Sequence, residues 1–153
     1  MFKFWLFLHF TGVTVWIGSL VAFTLTLLMM KKHLGSKELS IILKKIIQII
    51  HILIHPSAIF VLISGFFMMI SVNFGEATKP FYFNFMNQFG GVTILFSIIS
   101  ISISGRKLVK QLNDLEKKGG VIKNIGGLNM FIMILLITIV LILTVSIVVI
   151  FKY

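Results

Sequence analysis

The chain opens with an uncharged apolar run that is long enough to cross a lipid bilayer. The run, Phe4–Met30, holds 27 residues without a formal charge and is followed by Lys31 and Lys32. A helix of this length spans roughly 40 Å, and the hydrocarbon core of a bilayer is about 30 Å thick. With only Lys3 before it and no small-residue cleavage site after it, we expect it to be a retained span rather than a signal peptide.

The composition of the remaining chain is also typical of a membrane protein. Of the 153 residues, 58% are hydrophobic and only 12% are charged, whereas soluble domains carry about 25% charged residues. We therefore predict an all-α integral membrane protein of one domain, with spans at about 4–30, 46–72, 89–105 and 127–151. The segments 73–88 and 106–124, rich in glycine or clustered charge, are predicted to be loops.

The distribution of basic residues predicts the orientation of the spans. In a soluble protein a net charge of +10 would favour binding to nucleic acid. In this chain, however, eleven basic residues lie in the first and third connections between spans and three lie on the opposite side. Because cytoplasmic loops are enriched in Lys and Arg, both termini are predicted to lie outside. Short connections make successive helices antiparallel, which predicts an up-down four-helix bundle. The eleven are Lys31, Lys32, Lys37, Lys44, Lys45, Arg106, Lys107, Lys110, Lys117, Lys118 and Lys123.

The predicted environment is therefore a lipid bilayer, with no role for nucleic acid. A composition rich in Ile, Lys and Phe and free of Cys is typical of a low-GC bacterium, so we expect a multi-pass protein of a bacterial plasma membrane. No carboxylate lies within a predicted span, and no phosphate loop, catalytic triad or carboxylate pair is present. The histidines therefore remain as the candidate residues for binding a cofactor or a metal ion.

His9 is the ionisable residue of the first span. Steps of three and four place it on one helical face with Gly12, Trp16, Ser19 and Phe23. Ionisable side chains within a membrane usually face protein, so this face is predicted to line the bundle interior. His9 is then a candidate axial ligand to haem iron, since four-helix bundles hold cofactors between their helices. The alternative is a packing residue that hydrogen-bonds to a neighbouring helix.

A second candidate is the pair His51 and His55 in the second span. At positions i and i+4 the two side chains can share one face and bind a metal ion. In the alternative interpretation, His51 is solvated at the cytoplasmic interface. Pro56 follows the pair and is expected to bend the helix. His33, in a basic loop, is expected to be solvated.

The depth of the histidines disfavours a haem shared by His9 and His55. Counting from span centres near Trp16 and Ile59, the two residues are offset by roughly 16 Å along the bundle. They are therefore predicted to serve different sites. At its own depth His9 would instead find partners among a few residues near the opposite membrane face, namely Met68, Met69, Met86 and Gln88.

The eight methionines open a copper alternative, since thioether and imidazole ligands suit Cu(I). In this alternative His9 and His55 act together with methionines. The methionines lie near both membrane faces, however, in a pattern that is more typical of gap-filling residues than of an ion path.

Three sequence runs resemble a known group of membrane proteins. WLFLHFTGVTVWIGSL resembles the first helix of the HemJ-type protoporphyrinogen oxidases and of their relatives with a CopD-like copper-resistance domain. IIHILIHPSAIFVLISGFFMM resembles the second helix of that group, and GLNMFIMILLITIVLIL is a fainter match to the fourth. The resemblance extends over the whole four-span layout.

The resemblance implies a b-type haem protein with His9 as an axial ligand, Gly12 and Trp16 lining the cofactor pocket, and His55 as a second ligand or a separate site. It further implies electron transfer or haem-linked oxidation, with a quinone or a porphyrin as substrate. The family's lysine at the start of the third helix has no counterpart in FMNQFGGVTILF. The resemblance therefore implies the family's haem site for this chain but not its oxidase activity. The alternatives are a copper-handling protein and a structural or assembly subunit, either as a homo-oligomer or within a larger complex.

Overall fold

A computed structural model describes residues 2–32, 37–71, 81–117 and 126–151. These residues are almost entirely helical and include no β-strand. The helices are α1 (Phe2–Lys31), α2 (Lys37–Ser71), the short α3 (Phe81–Phe85), α4 (Gly91–Lys117) and α5 (Gly126–Phe151), with a π-helical turn, Met86–Gly90, between α3 and α4. Four candidate membrane spans are long and apolar enough to cross a membrane. The prediction of an all-α protein with four spans is confirmed.

The four long helices form a closed ring in which α1 packs on α2 and α5, and α4 packs on the same two helices. Residue pairs between neighbours show that the helices alternate in direction. Trp5 of α1 stacks on Phe67 of α2, with ring centroids 4.2 Å apart, while Gly12 meets Val61 further along. The up-down bundle is therefore confirmed, and the placement of both termini outside stays a prediction.

Many helical serines and threonines bond to a carbonyl of their own helix, although the buried hydroxyls of Ser40 and Ser97 have no partner among the described residues. Ser64 in α2 donates to the carbonyl of Phe60 at 2.6 Å, and Ser104 in α4 donates to that of Ser100 at 2.6 Å. Because each hydroxyl bonds to its own helix, it is satisfied in the dry core and its oxygen still faces the neighbouring helix. The remaining core is aliphatic, while many large apolar side chains lie on the outer surface, as expected where lipid is the solvent.

The loop prediction for 106–124 is wrong for its first part, because α4 continues to Lys117. Leu108 and Leu112 extend the buried face of α4 beyond Ser104, and both are fully buried. The charged side chains of this segment therefore lie on the outer face of a packed helix rather than in a loop. Residues 118–124 lie outside the described residues, as does His33.

The loop prediction for 73–88 is also wrong from Phe81 onwards, where α3 and the π-helical turn begin. Phe85 and Phe89, one turn apart, stack with ring centroids 4.4 Å apart along this segment, and such pairs favour a helix. Residues 73–80 lie outside the described residues. α2 runs unbroken through Pro56.

Candidate functional site

His9 is half-buried on α1 and is held by α2. Its Nδ1 lies 3.1 Å from the carbonyl oxygen of Val61 and 3.2 Å from the Ser64 hydroxyl. A carbonyl only accepts, so Nδ1 carries the proton and donates it. The Ser64 hydroxyl donates its own proton to the carbonyl of Phe60, so its oxygen can accept a hydrogen bond from Nδ1 of His9.

This bonding fixes the tautomer of His9. With the proton on Nδ1, the neutral ring has its lone pair on Nε2, and Nε2 has no hydrogen-bond partner within the described ranges. Histidines that bind metals usually donate their other ring N–H to a carbonyl or a polar side chain, which orients the ring. The bond to α2 is the one predicted for a packing residue, and it leaves the Nε2 lone pair of His9 without a partner among the described residues.

A glycine in α2 provides the space for the His9 ring. A Cβ atom at Gly65 would lie 3.3 Å from Cε1 of His9 and 3.5 Å from Nδ1, closer than most side chains tolerate. The ring therefore rests against the backbone of α2, and this contact fixes its depth in the bundle.

Gly12 and Trp16, the predicted lining residues, have different environments. A Cβ at Gly12 would lie 2.9 Å from Cγ2 of Val61, so Gly12 is a point of close contact between α1 and α2. Trp16 is only 3% exposed, and its Nε1–H has no partner among the residues that the structure describes. A buried unpaired donor is costly, so Trp16 offers a hydrogen bond to an acceptor from outside the described protein atoms.

His51 and His55 form a second cluster, at the contact between α2 and α4. Their ring centroids lie 4.8 Å apart at an interplanar angle of 62°. Nε2 of His55 lies 2.6 Å from the Ser102 hydroxyl, and the His51 ring packs against Gly105, where a Cβ would lie 2.7 Å from Nε2. The predicted pair is thus brought together on one face.

The two histidine sites lie at different depths. His9 is held at Val61 and Ser64, which follow His55 by six and nine residues on the same helix, or about 9–14 Å along its axis. The described residues contain no group of three or more His, Cys, Asp or Glu side chains arranged to hold a metal ion. His9 and His55 therefore do not meet at one ion.

Sequence reasoning missed the partners of both histidines. Ser64, Ser102 and Gly105 orient or accommodate the rings, yet none was singled out for its histidine. The partner of each histidine lies at the same depth on an antiparallel neighbouring helix. Its position could be counted along the sequence only once the pairing and register of the helices were known.

No protein-family model, curated protein or solved structure matches this chain. The resemblance to HemJ-type and CopD-like proteins stays a prediction.

Proposed function

We propose that this protein binds a b-type haem in a bacterial plasma membrane, with His9 as an axial ligand, and that it acts in electron transfer or haem-linked oxidation. The observation that carries the proposal is the tautomer of His9. Its Nδ1–H is donated to the Val61 carbonyl, which leaves Nε2 with the lone pair that an iron ligand needs.

The residues around His9 suit such a group. Gly65 leaves room for the ring on α2, Ser64 supplies a second acceptor for Nδ1–H, and the buried Nε1–H of Trp16 would be satisfied by an oxygen of the bound group. Bound haem would supply one-electron chemistry. The chain itself orients the imidazole through Val61 and Ser64.

The thioethers of Met68 and Met69 on α2 would be candidates for a further haem ligand. Met68 follows Ser64 by one helical turn, and both Met68 and its neighbour Met69 are partly buried. His55 lies on the other side of Ser64 and at a different depth. A quinone or a porphyrin is the proposed redox partner, since both partition into the bilayer.

The copper-handling alternative is less well supported as an overall function. It requires His9 and His55 to act in one ion path, whereas the partners of His9 on α2, Val61 and Ser64, lie about 9–14 Å from His55 along that helix.

The test is a reduced-minus-oxidised absorption spectrum of the full chain, purified in mild detergent from haem-replete cells. We expect a sharp α-band that is lost in His9→Ala and retained in His51→Ala, a matched histidine removal at the other site. Size-exclusion profiles establish that the variants are folded. A colourless wild-type protein would contradict the proposal and leave the structural or assembly subunit as the better account.

A further inference from the structure

The pair His51 and His55 has features that packing alone does not explain. Nε2 of His55 lies 2.6 Å from the Ser102 hydroxyl. Its Nδ1 is buried and has no hydrogen-bond partner among the described residues. When Nε2 donates its proton to the Ser102 oxygen, the lone pair of His55 is on Nδ1.

The Nδ1 atom of His55 is buried and unpaired beside a second imidazole. His51 has no hydrogen-bond partner within the described parts of the chain, and its ring contacts the ring of His55. A buried polar atom without a partner is costly in a low-dielectric interior. Gly105 contributes by leaving room for the His51 ring, since a Cβ there would lie 2.7 Å from Nε2.

We propose that His51 and His55 together bind one singly charged transition-metal ion, with Cu(I) as the representative ion, at the contact between α2 and α4. Ligand nitrogens lie about 2 Å from a bound metal such as zinc, so two nitrogens that share such an ion are at most about 4 Å apart. Ring centroids at 4.8 Å allow the facing edges of the two imidazoles to meet this requirement. The Ser102 hydroxyl bonds to Nε2 of His55. In metal sites, such a hydrogen bond to the non-ligating ring nitrogen orients the imidazole.

The charge and the ligand set favour a singly charged ion. Arg106 directly follows Gly105, against which the His51 ring packs, and no carboxylate or thiolate completes a group of three ligands among the described residues. Zn²⁺ usually takes four ligands, so two neutral imidazoles beside a guanidinium suit it poorly. Imidazole is a good copper ligand, and a single positive charge is repelled less by Arg106 than a double charge.

This site is independent of the proposed haem. It uses neither His9 nor the haem iron.

The experiment is a competition titration of the purified full chain with Cu(I) and a coloured Cu(I) chelator, under anaerobic reducing conditions. We expect His51→Ala and His55→Ala each to lose one equivalent of tightly bound Cu(I) per chain, while His9→Ala keeps it. Ser102→Ala preserves both ligands and is expected to weaken binding by about 10- to 100-fold. Methionines that bind Cu(I) adventitiously contribute equally to all variants.

The ligands of the bound ion and the affinity of the double variant test the proposed Cu(I) site further. X-ray absorption of the one-equivalent complex is expected to show two nitrogen ligands in wild type and in His9→Ala. The proposal is overturned if wild type binds Cu(I) no more tightly than the double variant His51→Ala, His55→Ala, or if the ion has sulfur ligands only. Loss of the haem band in His9→Ala affects neither the chelator competition nor the X-ray absorption spectrum. Failure of the haem proposal can therefore be distinguished from failure of the Cu(I) proposal.

Discussion

His9 and His55 lie on different helices, yet each is held by a serine of a neighbouring helix. His9 bonds to Ser64 and to the Val61 carbonyl, and Nε2 of His55 bonds to Ser102. In a bilayer an imidazole N–H has no water to bond to, so a partner must come from the protein. A helical serine suits this purpose, because a hydroxyl that donates to its own helix still has an oxygen that accepts.

At the scale of single residues, Gly12→Ala is expected to destabilise the bundle by about 1–3 kcal/mol. The new Cβ would lie 2.9 Å from Cγ2 of Val61, and a buried β-branched side chain has little freedom to move away. Gly18→Ala is the matched control, since a Cβ there meets nothing within 4 Å. It is expected to be neutral or to stabilise the helix by up to about 1 kcal/mol. Unfolding in detergent measures both, and equal effects would contradict the assigned contact.

At the scale of helices, the extension of α4 is held by apolar packing rather than by charge. Leu108 and Leu112 are fully buried, whereas the ion pair of Lys44 with Glu116 is partly exposed, and such pairs contribute about 0–1 kcal/mol. This part of α4 therefore packs as a helix even though its sequence is rich in charge.

Leu112→Ala is accordingly expected to destabilise the protein by about 2–5 kcal/mol, the usual cost of a cavity left by a buried leucine. Lys110→Ala removes an exposed side chain two residues away in the same helix and is expected to change stability by less than about 0.5 kcal/mol. Thermal unfolding of both variants in detergent provides the comparison. A loop at this position would give two small effects of similar size.

At the scale of the whole molecule, hydropathy was sufficient to predict four spans and their alternating directions, because lipid requires long apolar helices. It was insufficient for the ends of α4 and for α3, where packing of Leu112 or stacking of Phe85 on Phe89 decides the structure. The histidines were predictable as candidates, since an ionisable residue within a span is rare. Their partners were not, because Ser64 and Ser102 become partners only through the register between helices.

The orientation of the bundle follows from the charge of its two ends and is open to a direct test. Eleven of the fourteen basic residues lie in the first and third connections or the adjoining helix ends, and such segments stay in the cytoplasm. The chain contains no cysteine, so single cysteines can be introduced without background. In intact cells a membrane-impermeant maleimide is expected to label Phe2→Cys but not Lys32→Cys or Lys117→Cys, which become reactive only after lysis. Labelling of Lys32→Cys and Lys117→Cys in intact cells, with protection of Phe2→Cys, would reverse the orientation. It would also place the His51 and His55 pair, together with its proposed ion, on the outer half of the membrane.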